Sequence, residues 1–287
     1  MMTTQSEIQP LKPTIGAGVV GLDLGGELDE DTVAAIRAAL NEHSVLVLRE
    51  QRLSPREHVR ASRRFGDLEM HVLDQFTLKE APEVFVVSNV VEDGHPIGMH
   101  DAAWHWHSDS CFHETPSLGS LFYCLECPPE GGETEFCSMF AAYEHLDALP
   151  RTWLEGKIGV YDYADFYART YPHMAPMTEA QKARVPRVSH PMVRTHPETG
   201  RRALYFNKAQ VTEIVGVPGE EARTRLEALE AFATGPDFVY SHVWSPGDLV
   251  FWDNRSAMHR ARPFDDKRYR RRMHRTTLVG DKPFFRA

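Results

Sequence analysis

His107 and Asp109 stand two residues apart in Trp106-His107-Ser108-Asp109-Ser110-Cys111-Phe112. On an extended strand successive side chains alternate faces, so this imidazole and carboxylate point the same way. Together they offer two adjacent ligands for one divalent metal. A second histidine would complete a two-histidine, one-carboxylate set on one face of an octahedron and leave the opposite face open. The chain has 15 histidines, and spacing alone does not choose among them. His259, in Trp252-Asp253-Asn254-Arg255-Ser256-Ala257-Met258-His259, follows a strand and a turn and could reach back to the pair. His105 shares a face with His107, but three ligands from one strand would strain to fill three corners of an octahedral face. The other His-x-Asp, His145-Leu146-Asp147, falls in a helical stretch. There, residues two apart lie roughly 200° round the axis and cannot chelate one ion.

The elements that must position these residues follow from pattern. Residues 14–24 read as strand and turn. A helix is predicted from about Asp31 to Glu42, with Val33, Ile36 and Leu40 at helical spacing, and a buried strand over 44–48. Ser54-Pro55-Arg56-Glu57 is a capping box with proline in the first helical position, and Gly66 is the expected stop. A strand over 84–91 ends at an Asp93-Gly94 turn. The metal-bearing strand, 104–112, leads into another over 119–127. Extended structure resumes at 133–136, and Ser138 caps a helix carrying Ala141 to Leu149. Within 156–190 only Thr178-Glu179-Ala180-Gln181, a second capping box, marks a helix. A hairpin joins 192–196 to 203–207, and an amphipathic helix over 220–233 sets Leu226, Leu229 and Phe232 on one side. A strand pair, 238–244 and 249–252, surrounds Ser245-Pro246-Gly247-Asp248, and a last strand covers 270–279. No βαβ alternation and no repeat occurs, so the expected class is mainly β with flanking helices, a sandwich or barrel. Nothing in the composition divides 1–287, which reads as a single domain.

Composition narrows function. The net charge of −9 argues against a nucleic-acid partner, so the basic run Lys267-Arg268-Tyr269-Arg270-Arg271-Arg272 needs a local explanation. There is no long apolar span, and Met1-Met2-Thr3-Thr4-Gln5-Ser6 lacks the basic-then-apolar pattern of a signal peptide. A cytoplasmic protein with no membrane partner is expected. Of the four cysteines, Cys124 and Cys127 have redox-motif spacing but sit in an apolar run beside Pro128-Pro129. One such pair does not make a structural zinc site, and buried reduced thiols are the expectation.

The sequence resembles the taurine dioxygenase and 2,4-dichlorophenoxyacetate dioxygenase family of Fe(II)/2-oxoglutarate-dependent oxygenases. The resemblance runs from Ile15-Gly16-Ala17 to Gly280-Asp281-Lys282-Pro283-Phe284. It rests on Trp106-His107-Ser108-Asp109, Gly131-Gly132-Glu133-Thr134, Trp252-Asp253-Asn254-Arg255 through His259, and Arg271-Arg272-Met273-His274-Arg275. It implies a double-stranded β-helix, or jelly roll, with Fe(II) on His107, Asp109 and His259. It also implies that Thr134 and Arg271 hold the distal carboxylate of 2-oxoglutarate, a role suited to a planar guanidinium and a hydroxyl donor. Arg275, four residues after Arg271, shares its strand face at about 13 Å, so one arginine can serve cosubstrate and the other substrate. By resemblance Arg275 and His71 meet an anionic substrate group, with Ser110 beside them.

The expected reaction turns 2-oxoglutarate and O2 into succinate and CO2 while hydroxylating a small anionic sulfonate, aryloxyalkanoate or related carboxylate. Family members that halogenate lack the carboxylate supplied here by Asp109. Asp74 and Ala103 stand where the taurine enzyme contacts the substrate amine, which argues against taurine itself. Aromatic residues Tyr161, Tyr163, Phe166, Tyr167 and Tyr205 could shape a larger pocket or pack the core. The resemblance also implies a dimer or tetramer. Two rivals are a zinc hydrolase on the same His2Asp set, which would not require Thr134 and Arg271 at their spacing, and a non-catalytic jelly-roll binding protein, which would be expected to have lost one of the three ligands.

Overall fold

Alternation along three strands divides the core. In Val45–Leu48, Val45 and Val47 oppose Leu46 and Leu48; in Gly119–Glu126, Phe122 and Cys124 oppose Leu121 and Tyr123; in Leu249–Asp253, Val250 and Trp252 oppose Leu249 and Phe251. Strands apolar on both faces need cover on both. The computed structural model, which describes residues 7–71, 73–100, 103–172 and 175–287, supplies it. The N-terminal stretch 1–6 read above lies outside the described residues.

The three strands sit together in an eight-stranded sheet. Its order is Glu7–Pro10, Ala17–Val20, Val45–Leu48, Leu249–Asp253, Gly119–Glu126, Arg272–Leu278, Ala81–Ser88 and Thr77–Leu78. The outer face packs on helices Glu30–His43 and Pro55–Arg63 through Leu46, Leu48, Leu121 and Phe251 against Ile36, Leu40 and Ala61. The inner face meets a three-stranded sheet of Val239–His242, Thr134–Ser138 and Ala257–Ala261 across Phe122, Phe136, Trp244, Trp252 and Met273. Behind that smaller sheet, helices Met139–Glu144 and Gly219–Ala233 close a third core. Two facing sheets with helices on the outside make a jelly roll. Among the described residues no helix is long and apolar enough to cross a membrane.

Local signals held where their chemistry is specific. Ser54 and Thr178 both form complete capping boxes, with Glu57 and Gln181. Four readings need correction. The helix expected from Ser138 to Leu149 is two, Met139–Glu144 and Ala148–Leu154. Pro150 is the cause: it has no N–H for the Leu146 carbonyl and is tolerated only in a first turn, so the helix stops and restarts. Arg151 Nη2 takes that carbonyl instead, at 2.6 Å. Strands Val239–His242 and Leu249–Asp253 do not pair with each other but enter different sheets. Asp248 sets the corner between them, accepting from Ser245 N at 2.8 Å and from His242 Nε2 at 3.1 Å. Phe232 lies at the rim, on Phe238, while Leu226 and Leu229 are buried. The 104–112 stretch is no strand; it makes one bridge, His107 to His259, and then turns.

Candidate metal centre

That single bridge builds the site. His107 N donates to the His259 carbonyl at 3.0 Å and His259 N to the His107 carbonyl at 2.8 Å, so the two residues face each other as a hydrogen-bonded antiparallel pair. Their rings lie 4.3 Å apart. Directly opposed residues share a face, which puts both imidazoles over the inner core. His259 rests against Trp252 at 4.7 Å and Phe136 at 5.9 Å between ring centroids. Alternation survives just far enough to bring Asp109 to the same side, before Ser110 turns the chain with φ 57°.

The ligand atoms of His107, Asp109 and His259 lie within 4.8 Å of one another, and among the described residues no other such histidine, cysteine and carboxylate cluster occurs. Asp109 Oδ1 is 3.9 Å from His107 Nε2 and 3.8 Å from His259 Nε2. The tautomer of His107 is set by its Nδ1, 2.9 Å from the His105 carbonyl. A carbonyl only accepts, so Nδ1 carries the proton and Nε2 is left bare, as a metal ligand requires. Burial, helped by His107 and Arg275, pushes the His259 pKa down to about 3, so this imidazole is neutral near pH 7. Burial opposes ionisation of Asp109, but His259, Arg275 and His107 outweigh it and hold the carboxyl below its usual range. Two imidazoles and a carboxylate fit a divalent metal such as Fe(II). His105 is not among the converging ligand atoms; its ring packs on Phe166 at 5.1 Å.

The second carboxylate oxygen is held away from this triangle. Oδ2 of Asp109 accepts from Ser120 Oγ at 3.3 Å and Asn254 Nδ2 at 3.4 Å. Asn254 Oδ1 in turn accepts from Trp252 Nε1 and Asp109 N. Sequence reading gave no role to Ser120 or Asn254. The usable signal was Asn254 inside the matched Trp252 to His259 segment, at a turn that returns toward the metal pair.

On the inner face of the large sheet, Arg275 pairs across to Phe85 and Phe122. Its Nη1 is 3.4 Å from Asp109 Oδ1, and its guanidinium lies 5.3 Å from the Phe85 ring centre. His71 stacks on the Phe85 ring at 3.8 Å, with Nδ1 accepting from Leu73 N. Burial and then Arg275 push the His71 pKa down to about 4. Ser110 is half-buried in the turn after Asp109. Arg271 is buried over Phe122, and among the described residues no carboxylate pairs with its guanidinium and Nε has no partner. Burial lowers its pKa to about 10, which leaves it cationic at neutral pH. Thr134, buried on the facing sheet, accepts from Trp244 Nε1 at 3.0 Å. Of the basic run, Arg270 is exposed and paired with Glu126. Tyr161 and Tyr205 belong to the core, whereas Phe166 abuts His105 and Tyr163 stacks on Phe112. The four cysteines are free.

A jelly roll with two histidines and one aspartate converging between its sheets defines a metal-dependent oxygenase framework. The chain matches the family described as "Taurine catabolism dioxygenase TauD, TfdA family" over residues 7–277, and it belongs to that family. It is 37% identical to the alpha-ketoglutarate-dependent 2,4-dichlorophenoxyacetate dioxygenase of Cupriavidus pinatubonensis, over 95% of this chain and 97% of that one. It is 32% identical to pentalenolactone F synthase of Streptomyces arenae, over 96% of each. The crystal structure of AAD-2 in complex with Mn(II) and N-oxalylglycine superimposes with a TM-score of 0.83 at 30% identity, covering 98% of this chain and 100% of that one. The protein is a 2-oxoglutarate-dependent dioxygenase.

Proposed function

We propose that the enzyme holds Fe(II) on His107, Asp109 and His259 and hydroxylates a small anionic organic molecule: a sulfonate, an aryloxyalkanoate or a related carboxylate. Iron(II), when bound, supplies the redox chemistry with O2 that couples this hydroxylation to conversion of 2-oxoglutarate into succinate and CO2. The chain's own residues bind and orient. Ser120 and Asn254 fix one oxygen of Asp109 so that the other faces the Nε2 atoms of both imidazoles. Arg271 and Thr134 grip the far carboxylate of 2-oxoglutarate. Thr134 lies two residues along its strand from Phe136, the partner of His259, which is roughly 7 Å. That suits a five-carbon dicarboxylate reaching from the metal to Arg271. Arg275, with His71 and Phe85 beside it and Ser110 in the adjoining turn, receives a substrate that carries an anion and a flat or apolar body. The anionic aryloxy compound named for the Cupriavidus relative fits this description.

One observation carries the reading: a three-ligand metal cluster shares the inner core with a buried guanidinium that no carboxylate of the described residues neutralises. The test is anaerobic addition of Fe(II) and 2-oxoglutarate, watched for the weak visible charge-transfer band of the chelate. Oxygen is then admitted with a panel of sulfonates, aryloxyalkanoates and alkyl sulfates, and succinate is assayed. A band with succinate stimulated by one compound is expected. Folded, metal-loaded protein that gives no band would sink the proposal. We also place the enzyme in the cytoplasm as one domain over 1–287, assembled as a dimer or tetramer, which light scattering would check.

A further inference from the structure

The hydroxyl of Thr134 is already engaged, and the direction of that bond matters. An indole nitrogen only donates, so in the 3.0 Å contact Trp244 gives its proton and Thr134 Oγ1 accepts. A hydroxyl has a single O–H of its own, and among the described residues nothing is paired with it. Trp244 is itself immobilised. It is buried, its ring meets His242 at 4.4 Å and Phe122 edge-on at 5.5 Å, and its carbonyl accepts from Cys127 Sγ at 3.4 Å. The same Phe122 ring lies 5.6 Å beneath the Arg271 guanidinium. One clamped indole therefore touches Thr134 directly and Arg271 through a single intervening ring.

We propose that Trp244 is a positioning residue for the cosubstrate: by occupying one of the two lone pairs of Thr134, its N–H turns the threonine O–H away from the indole and favours donation toward the distal carboxylate of 2-oxoglutarate. The inference rests on Thr134 and Arg271 being the cosubstrate anchor. A carboxylate is an acceptor only, so a hydroxyl turned the other way would repel it. Taking one acceptor position before binding removes one unproductive orientation of the hydroxyl.

The test measures 2-oxoglutarate dissociation constants on Mn(II)-loaded protein without oxygen, then KM and kcat on the Fe(II) enzyme. Trp244→Phe keeps the ring and removes the donor. We expect it and Thr134→Val each to weaken 2-oxoglutarate about five- to ten-fold, the worth of one hydrogen bond, with the loss in KM for 2-oxoglutarate. The double variant should be no worse than either single one, and Thr134→Ser should bind nearly as wild type. An equal further loss from Trp244→Phe in the Thr134→Val background would overturn the inference, because the effect would then be packing. So would normal binding by Trp244→Phe while Arg271→Ala abolishes it. If Arg271→Ala leaves 2-oxoglutarate binding intact, the anchor assignment fails and this inference falls with it. Should Trp244→Phe not fold, indole N–H resonances decide: the one displaced by Thr134→Val should shift when 2-oxoglutarate joins the zinc-loaded wild type, and silence there would refute the idea.

Discussion

Two clusters in this molecule are made of the same residue types and behave oppositely. Asp253, His196 and Arg255 form one; Asp109, His107, His259 and Arg275 form the other. Both carboxylates are buried. Asp253 is saturated: Arg255 donates to it through N, Nε and Nη2 at 2.7 to 3.1 Å, and His196 Nε2 donates at 3.1 Å. His196 Nδ1 accepts from Glu198 N and Thr199 N, and Arg255 Nη1 pairs with Glu198 at 2.8 Å. Around Asp109 Oδ1 the corresponding distances are 3.4 to 3.9 Å, and among the described residues His259 Nδ1 and Arg275 Nε have no hydrogen-bond partner. Buried polar groups are almost always satisfied, and leaving them otherwise is costly. The closed cluster is finished structure; the open one has bonding capacity reserved for something that binds. They are neighbours by design of the chain, since Asp253 fixes the turn from which Asn254 holds Asp109.

The sharpest way to break this comparison is to delete each aspartate. Asp253→Ala strands a buried Arg255 and His196 and should cost about 3–5 kcal/mol of stability, measured by urea unfolding. Asp109→Ala should cost clearly less stability but weaken metal binding by at least about 100-fold, beyond the range seen for residues that merely support a ligand, and end hydroxylation. A variant at Asp109 that kept iron affinity and turnover would contradict its assignment. Equal stability losses at the two positions would erase the distinction between closed and open clusters. Next in size, Asn254→Ala should leave the fold and weaken metal binding by roughly 10- to 100-fold, because Asp109 Oδ2 loses one of its two restraints.

Much of this was legible in the sequence because it is local. The capping boxes at Ser54 and Thr178 depend on side chains three residues apart, and the strand at 119–126 follows from a run of apolar, strand-forming residues. His107 and Asp109 do lie on one side, as alternation suggests, although the stretch that carries them makes only one bridge. What stayed hidden was tertiary. No periodicity sends Val239–His242 and Leu249–Asp253 to different sheets; that choice is made by what each strand meets across the core. Nor could spacing show that Ser120 and Asn254 meet one carboxylate oxygen, or that Tyr161 and Tyr205 pack inward. Pro150 did carry a local signal, and it explains the break in the helix expected from the Ser138 cap.

The smallest expected effect concerns pH, and it isolates the closed cluster. Burial opposes ionisation of Asp253, yet the Arg255 charge and the hydrogen bonds from His196 and Arg255 prevail and hold its carboxyl below the ordinary range. An unfolded aspartate titrates near about 3.9. Between that value and the lower folded one, the unfolded chain takes up a proton that the folded chain refuses. Stability therefore rises with pH across this window, is fully present above it, and is lost as pH falls below about 4. One such group contributes a slope of at most about 1.4 kcal/mol per pH unit. In unfolding titrations of metal-free protein between pH 5 and 3, Asp253→Asn should be less stable throughout but fall more gently with acid than wild type. If its slope matched that of wild type, Asp253 would not be the ionised centre of the closed cluster, and the contrast with Asp109 would have to rest on hydrogen-bond geometry alone.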